Sequence, residues 1–201
     1  MVQPLNEPDK LKDRLSFLGP NQDQFDLEDR LQDATLEMET MVGREVEEKL
    51  RPENEDQKKF SFAFSNIAEL YKVILQSNRY EFEEEVDESN YTVTKDPVRA
   101  NPVNIEFTQS FAEEELFNKD YRLRVIYVPE LFKRLELRLA ELDIATLASI
   151  QTSDDEVAAQ AEKARQRVQR LRDRINRTTQ NLGDKDAGDS LAANYNYPGR
   201  R

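Results

Sequence analysis

Carboxylates and guanidinium groups are the chemistry this chain has to offer. Its 201 residues contain no His and no Cys, which removes the usual proton shuttle near neutral pH, the Ser-His and Cys-His dyads, and the commonest zinc ligands. Without Cys there is no disulfide framework either. The acidic run Glu81, Glu83, Glu84, Glu85, Asp87 and Glu88 could in principle hold a divalent cation. It lacks the alternating Asp/Asn and Gly spacing of a calcium loop, so a solvated acidic hairpin is the favoured reading. Glu113, Glu114 and Glu115 read in the same way as a solvated turn or helix start. No Gly-rich phosphate loop and no nucleophile elbow is present. The expectation is a non-enzymatic protein with no metal and no cofactor, a carboxylate-dependent hydrolase being the residual alternative.

Charge narrows the partners. The chain carries 41 acidic and 29 basic side chains, a formal charge of -12. A protein this acidic repels a phosphate backbone except at a local basic patch. One such patch exists at 163–177, where Arg165, Arg167, Arg170, Arg172, Arg174 and Arg177 stand close in sequence. Three readings apply: a solvated helix face, contact with an acidic neighbour such as a second copy, or phosphate contact along the wall of a channel. At the helical period the six spread around the axis, so no single DNA-facing stripe emerges. The N-terminal residues lack the basic start and apolar run of a signal peptide, and no apolar run approaches membrane-spanning length. A soluble product made in a cytoplasm, with no membrane partner, is expected.

The element that must position this patch is 128–151, VPELFKRLELRLAELDIATLASIQ. Pro129 and Glu130 suit the first turn of a helix. Phe132, Leu135, Leu139, Leu142 and Ile150 fall on one side of it, and Leu137, Ala140, Ile144, Leu147 and Ala148 on the opposite side, with charges in two seams. A helix with two opposed apolar stripes is buried between two layers. One layer is the chain's own domain; the other is either the next helix or a neighbouring subunit. That next helix opens at Ser153 and Glu156, spaced as a capping box. Val157, Ala161, Ala164, Val168, Leu171, Ile175 and Thr178 follow as one stripe, with Gly183 as C-cap. A short connection makes the two helices antiparallel.

Upstream, Pro8 to Leu18 reads as a short helix stopped by Gly19-Pro20, and a longer helix spans about 24–50 with Leu27, Leu31, Ala34, Met38, Met41 and Val42 on one stripe and Gly43 as a point of ending or bending. Phe60, Phe62 and Phe64 alternate with smaller or polar residues, the period of a strand. Further strand-like pieces at 70–75, 79–86, 91–94, 103–107 and 121–128 are separated by turn-rich segments. The expected fold is α+β: a helical bundle of N-terminal helices (1–57) and a long C-terminal antiparallel helix pair (129–182), with an inserted small antiparallel β domain (58–128). An extended C-terminal tail (183–201) ends in Tyr195, Tyr197, Pro198, Arg200 and Arg201, suited to docking on another protein.

Two segments carry a family resemblance. Residues 27–45, LEDRLQDATLEMETMVGRE, with Gly43-Arg44 at the end, resemble the opening helix of the head-to-tail connector proteins (adaptor or head-completion proteins) of long-tailed phages and haloarchaeal tailed viruses. Residues from Tyr127-Val128-Pro129-Glu130 through Ala140-Glu141-Leu142-Asp143, and on to about Asn176, are similar to the passage from a strand into the long central helix of that family. The 58–120 region departs from the compact all-helical members. The resemblance implies a ring, usually of twelve subunits, under the portal protein, extending the channel for double-stranded DNA and offering a platform to the next neck or tail-completion protein. It implies a place in the virion, after assembly in the host cytoplasm, and a portal-docking role for the tail residues. The alternative within the same setting is a non-ring assembly chaperone or tail-completion factor.

Overall fold

In the computed structural model, residues 3–52, 57–64, 66–77, 82–95, 102–118, 121–152 and 154–186 are described. The fold is α+β. Met1–Arg44 with Leu131–Gln180 makes one compact unit, which is helical, and Glu45–Glu130 makes the body of the other, which is mostly strand.

The helical unit begins with α1 (Pro8–Arg14), with Pro in its first turn. A 3-10 stretch, Ser16–Gln24, follows and is broken at Gly19, whose φ of 56° and ψ of -133° suit a residue without a Cβ. Leu11, Leu15 and Leu18 are buried, as their spacing requires. Asp26 caps α2 (Leu27–Val42) by accepting from the Glu28 and Asp29 amides at 3.1 and 3.2 Å. Leu31, Ala34 and Met38 form its buried stripe, joined by Thr35. The helix ends at Gly43, at φ 81° and ψ 177°, a region open only to glycine. The expected continuation to residue 50 is therefore wrong, because 46–50 turn out to be a strand.

The central helix has neighbours within this unit on several sides. Here α4 is Glu130–Thr152 and α5 is Asp155–Asp186; α3, Gln109–Phe111, lies in the other unit. Thr35 and Arg30 of α2 reach Glu136 and Asp143 of α4, so these two helices run antiparallel. Asn6 and Arg14, before and at the end of α1, reach Glu136 and Glu141, so α1 runs in the same sense as α4. Arg167 of α5 meets Glu141, 12 positions after Asp155 and 11 before Thr152 respectively, which is the spacing of a tight antiparallel hairpin. Asp154 caps α5 through the Glu156 amide at 2.8 Å. Ser153, expected to cap, lies outside the described residues. Gly183 does not end α5, which continues to Asp186.

Both apolar sides of α4 are covered in the lone chain. Phe132, Leu135 and Leu139 are buried on one side, and Leu137, Ala140, Ile144 and Ala148 on the other; Leu142 and Leu147 are half-buried and Ile150 is exposed. The two-sided pattern was open to two explanations, and it needs no second subunit: the chain's own packing accounts for it. Burial of each such Leu, Ile or Phe contributes roughly 1.5–3 kcal/mol.

The β unit holds two antiparallel sheets. β1 (Val46–Leu50), β2 (Lys59–Ser61), β3 (Ile67–Ser77), β4 (Glu83–Glu85), β5 (Tyr91–Lys95), β6 (Pro102–Phe107) and β7 (Tyr121–Pro129) arrange as β1-β7-β3-β4 and β2-β6-β5. Each expected strand has a counterpart, and β1 is additional. The inner face of the first sheet carries Val46, Glu48, Leu50, Val73, Leu75, Leu123, Val125 and Tyr127, all buried. Phe60, Phe62 and Phe64 are all buried although β2 covers only the first of them. Phe107 gathers Phe60, Tyr91 and the α3 ring of Phe111 at centroid distances of 5.4 to 6.0 Å.

Candidate functional site

Burying a carboxylate without partners is costly, so the buried acids show where this chain has committed its polar chemistry. Among the described residues three Glu side chains are buried: Glu48, Glu136 and Glu141. Each is held differently.

Glu48 points inward from β1. It accepts from the Ala63 amide at 3.1 and 3.0 Å and from the Tyr127 hydroxyl at 2.7 Å. The rings of Phe62 and Phe64 pack around Tyr127 at 5.2 and 6.5 Å. The carboxylate thus ties the segment after β2 to the face of β7. Glu136 is fully buried on α4. Its Oε1 accepts from the Leu5 amide at 2.8 Å and lies 2.6 Å from the Thr35 hydroxyl, which is also 2.7 Å from the Leu31 carbonyl. Its Oε2 accepts from Asn6 Nδ2 at 2.6 Å, and the same nitrogen donates to the Lys133 carbonyl at 2.8 Å. These are neutral donors in a closed network, which fixes the entering N-terminal segment and α2 on α4.

Glu141 lies about 140° around α4 from Glu136, at 100° per residue. Its partners are all cations. Arg138 donates to Oε2, Arg167 donates to Oε1 at 3.3 Å, and the Arg14 guanidinium stands 3.8 Å from Oε2. The carboxylate is 7% exposed, against 28%, 24% and 45% for the side chains of Arg14, Arg138 and Arg167. One acid is therefore at the base of a cluster and three guanidinium groups form its rim. Burial, with the repulsion of Arg138, Arg167 and Arg134, holds Arg14 below the usual arginine range against the pull of Glu141. A site of this kind can hold an oxyanion.

No family model, curated protein or solved structure matches this chain.

The sequence-expected residues are distributed as follows. Of the six arginines of the basic helix, Arg167 alone is on Glu141. Arg165 pairs with Glu162 at 2.8 Å, and Arg170, Arg172, Arg174 and Arg177 are exposed around α5. Arg14, Arg138 and Glu141 were not singled out from the sequence. Their signal was available on α4, where Glu141 and Arg138 sit on a helix whose surroundings are mostly apolar and must find partners there. The tail residues Tyr195, Tyr197, Pro198, Arg200 and Arg201 lie outside the described residues. In the acidic run, Glu81 also lies outside them. Glu83, Glu84 and Glu85 form β4 and are exposed, with Glu83 3.0 Å from Arg124 and Glu85 3.7 Å from Lys72. Among the described residues no group of three or more His, Cys, Asp or Glu side chains is arranged to hold a metal, and no helix is long and apolar enough to cross a membrane.

Proposed function

We propose that this chain is a structural adaptor in the neck of a tailed virus, a ring former beneath the portal that extends the DNA channel and carries the next neck or tail component. The observation that carries the reading is the run from Tyr127 through Pro129 into a long central helix, with α2 ending at Gly43-Arg44. These are the two places at which the sequence resembles connector proteins, and both fall on the element boundaries that the resemblance calls for. The helical unit would form the ring. The arginines exposed on α5 would meet acidic surfaces of neighbouring copies or scatter along a largely acidic channel, which lets DNA slide without sticking. The tail residues Tyr195, Tyr197, Pro198, Arg200 and Arg201 would dock on the portal.

A second reading, a non-ring assembly chaperone or tail-completion factor, is favoured by one specific feature. The faces of α4 that would have signalled a missing subunit are covered by the chain itself. Light scattering after size exclusion, with and without portal protein, separates the two: a ring former gives a portal-dependent oligomer, and a chaperone stays monomeric or dimeric in both. Particles made with 194–201 deleted should lose DNA if the tail docks, and full retention would sink the docking role.

A further inference from the structure

We propose that Arg14, Arg138 and Arg167 form a binding site for a phosphate-class oxyanion, with Glu141 as the fixed carboxylate that gathers the three guanidinium groups. The site is drawn from α1, α4 and α5, so it exists only in the folded helical unit. Its formal charge is +3 from three Arg and -1 from Glu141, leaving +2 in a protein whose total is -12. A phosphate monoester or inorganic phosphate carries about -1.5 to -2 near neutral pH, which balances that surplus; one further carboxylate would not. Guanidinium is also the suitable cation, because its planar fork donates two parallel N–H bonds to an oxyanion.

Access and convergence point the same way. Glu141 lies at the bottom while the arginines are part-exposed, so an anion from solvent meets their outer N–H groups without displacing the carboxylate. The groups acting electrostatically on Arg14 are three arginines and a single acid, Glu141. The exposed arginines elsewhere on α5 spread around the helix and make no comparable focus. Convergence of charge, rather than number of charges, distinguishes a site from a solvated face. The same chemistry could come from free phosphate, or from two neighbouring phosphodiesters of a nucleic-acid backbone, each of which carries one negative charge. The site does not depend on the neck-adaptor reading.

The test uses the full chain at fixed ionic strength, titrated by calorimetry and by thermal melting with inorganic phosphate, pyrophosphate or a short DNA duplex, chloride serving as the reference salt. Arg14→Gln and Arg167→Gln are compared with Arg172→Gln, an exposed position on the same helix. Wild type and Arg172→Gln should bind phosphate or pyrophosphate, and each cluster variant should bind roughly tenfold more weakly or worse, as expected when a charge-assisted hydrogen bond is lost. Without anion the cluster variants should melt close to wild type, because each removes a repulsion between guanidinium groups together with one of the three partners of Glu141; the general stabilising effect of phosphate as a salt acts on all four proteins alike. Binding of duplex with no response to either free anion, again lost in the cluster variants, supports the site with nucleic acid as the source. The proposal is overturned if no anion binds wild type, if binding survives in both cluster variants, or if those variants melt well below wild type with no anion dependence, which is what a purely structural ion-pair network would give.

Discussion

Glu136 and Glu141 stand five positions apart on one helix and are treated in opposite ways. Glu136 meets an amide, a carboxamide and a hydroxyl, all neutral, and is sealed from solvent. Glu141 meets three cations whose outer ends remain in contact with water. The first arrangement has no capacity left and acts as a fastener. The second has charge in excess and can take another ligand. Burial of an acid is therefore a poor guide to its role until the charge of its partners is counted.

The largest effect should come from breaking the sealed network. Glu136→Ala takes the acceptor from the part-buried Leu5 amide and from buried Asn6 and should cost about 3–5 kcal/mol in urea unfolding. Glu141→Ala should cost less, about 1–2 kcal/mol, since its arginines can turn toward water. The two also differ in salt response: the Glu141→Ala deficit should shrink as salt screens the remaining repulsion, and the Glu136→Ala deficit should not. Equal costs with equal salt response would erase the distinction. A third buried acid extends the comparison to the β unit. Tyr127→Phe removes one neutral donor from Glu48 and should cost about 1 kcal/mol, because the Ala63 amide remains in place.

The smallest effect belongs to an exposed acid. Hydrogen bonds from the Ser89 side chain and backbone hold the Asp87 carboxyl below its ordinary value. A depressed carboxyl stabilises the fold above the unfolded-state value and loses that contribution as pH falls through the folded-state value. Asp87→Asn should therefore melt slightly lower than wild type at neutral pH and match it at low pH, which flattens the acid side of the melting profile. An unchanged acid limb would show that Asp87 does not report on folding.

Much of the architecture was legible because periodicity records which face is wet. Leu11, Leu15 and Leu18, then Leu31, Ala34 and Met38 of α2, and Val157, Ala161, Ala164, Val168 and Ile175 of α5 are buried as spaced, while Leu27, Met41, Val42, Leu171 and Thr178 at the stripe margins are half-buried. The failures share a cause. In β1 the inward positions are Val46, Glu48 and Leu50, and an acid at the middle one hides the strand period. On α4 the apolar periodicity places Glu136 and Glu141 in the seams between stripes, yet they are buried contacts to neighbouring helices. Gly43 was ambiguous between a bend and an end, and its backbone conformation, which no local pattern specifies, decided for an end. The arginine site was hidden for a different reason: Arg14, Arg138 and Arg167 are far apart in sequence and only the packing of three helices brings them together.

The position of β7 and α4 in the chain has a consequence for synthesis. Val46 of β1 pairs with Tyr127 of β7, 81 residues later, and Thr35 of α2 waits for Glu136. At ribosomal speeds of about 5–20 residues per second, the first strand and first helices emerge on the order of ten seconds before the partners that complete them. Nascent chains stalled before residue 121 should be open to protease and chaperone, and only chains released past α5 should complete both units.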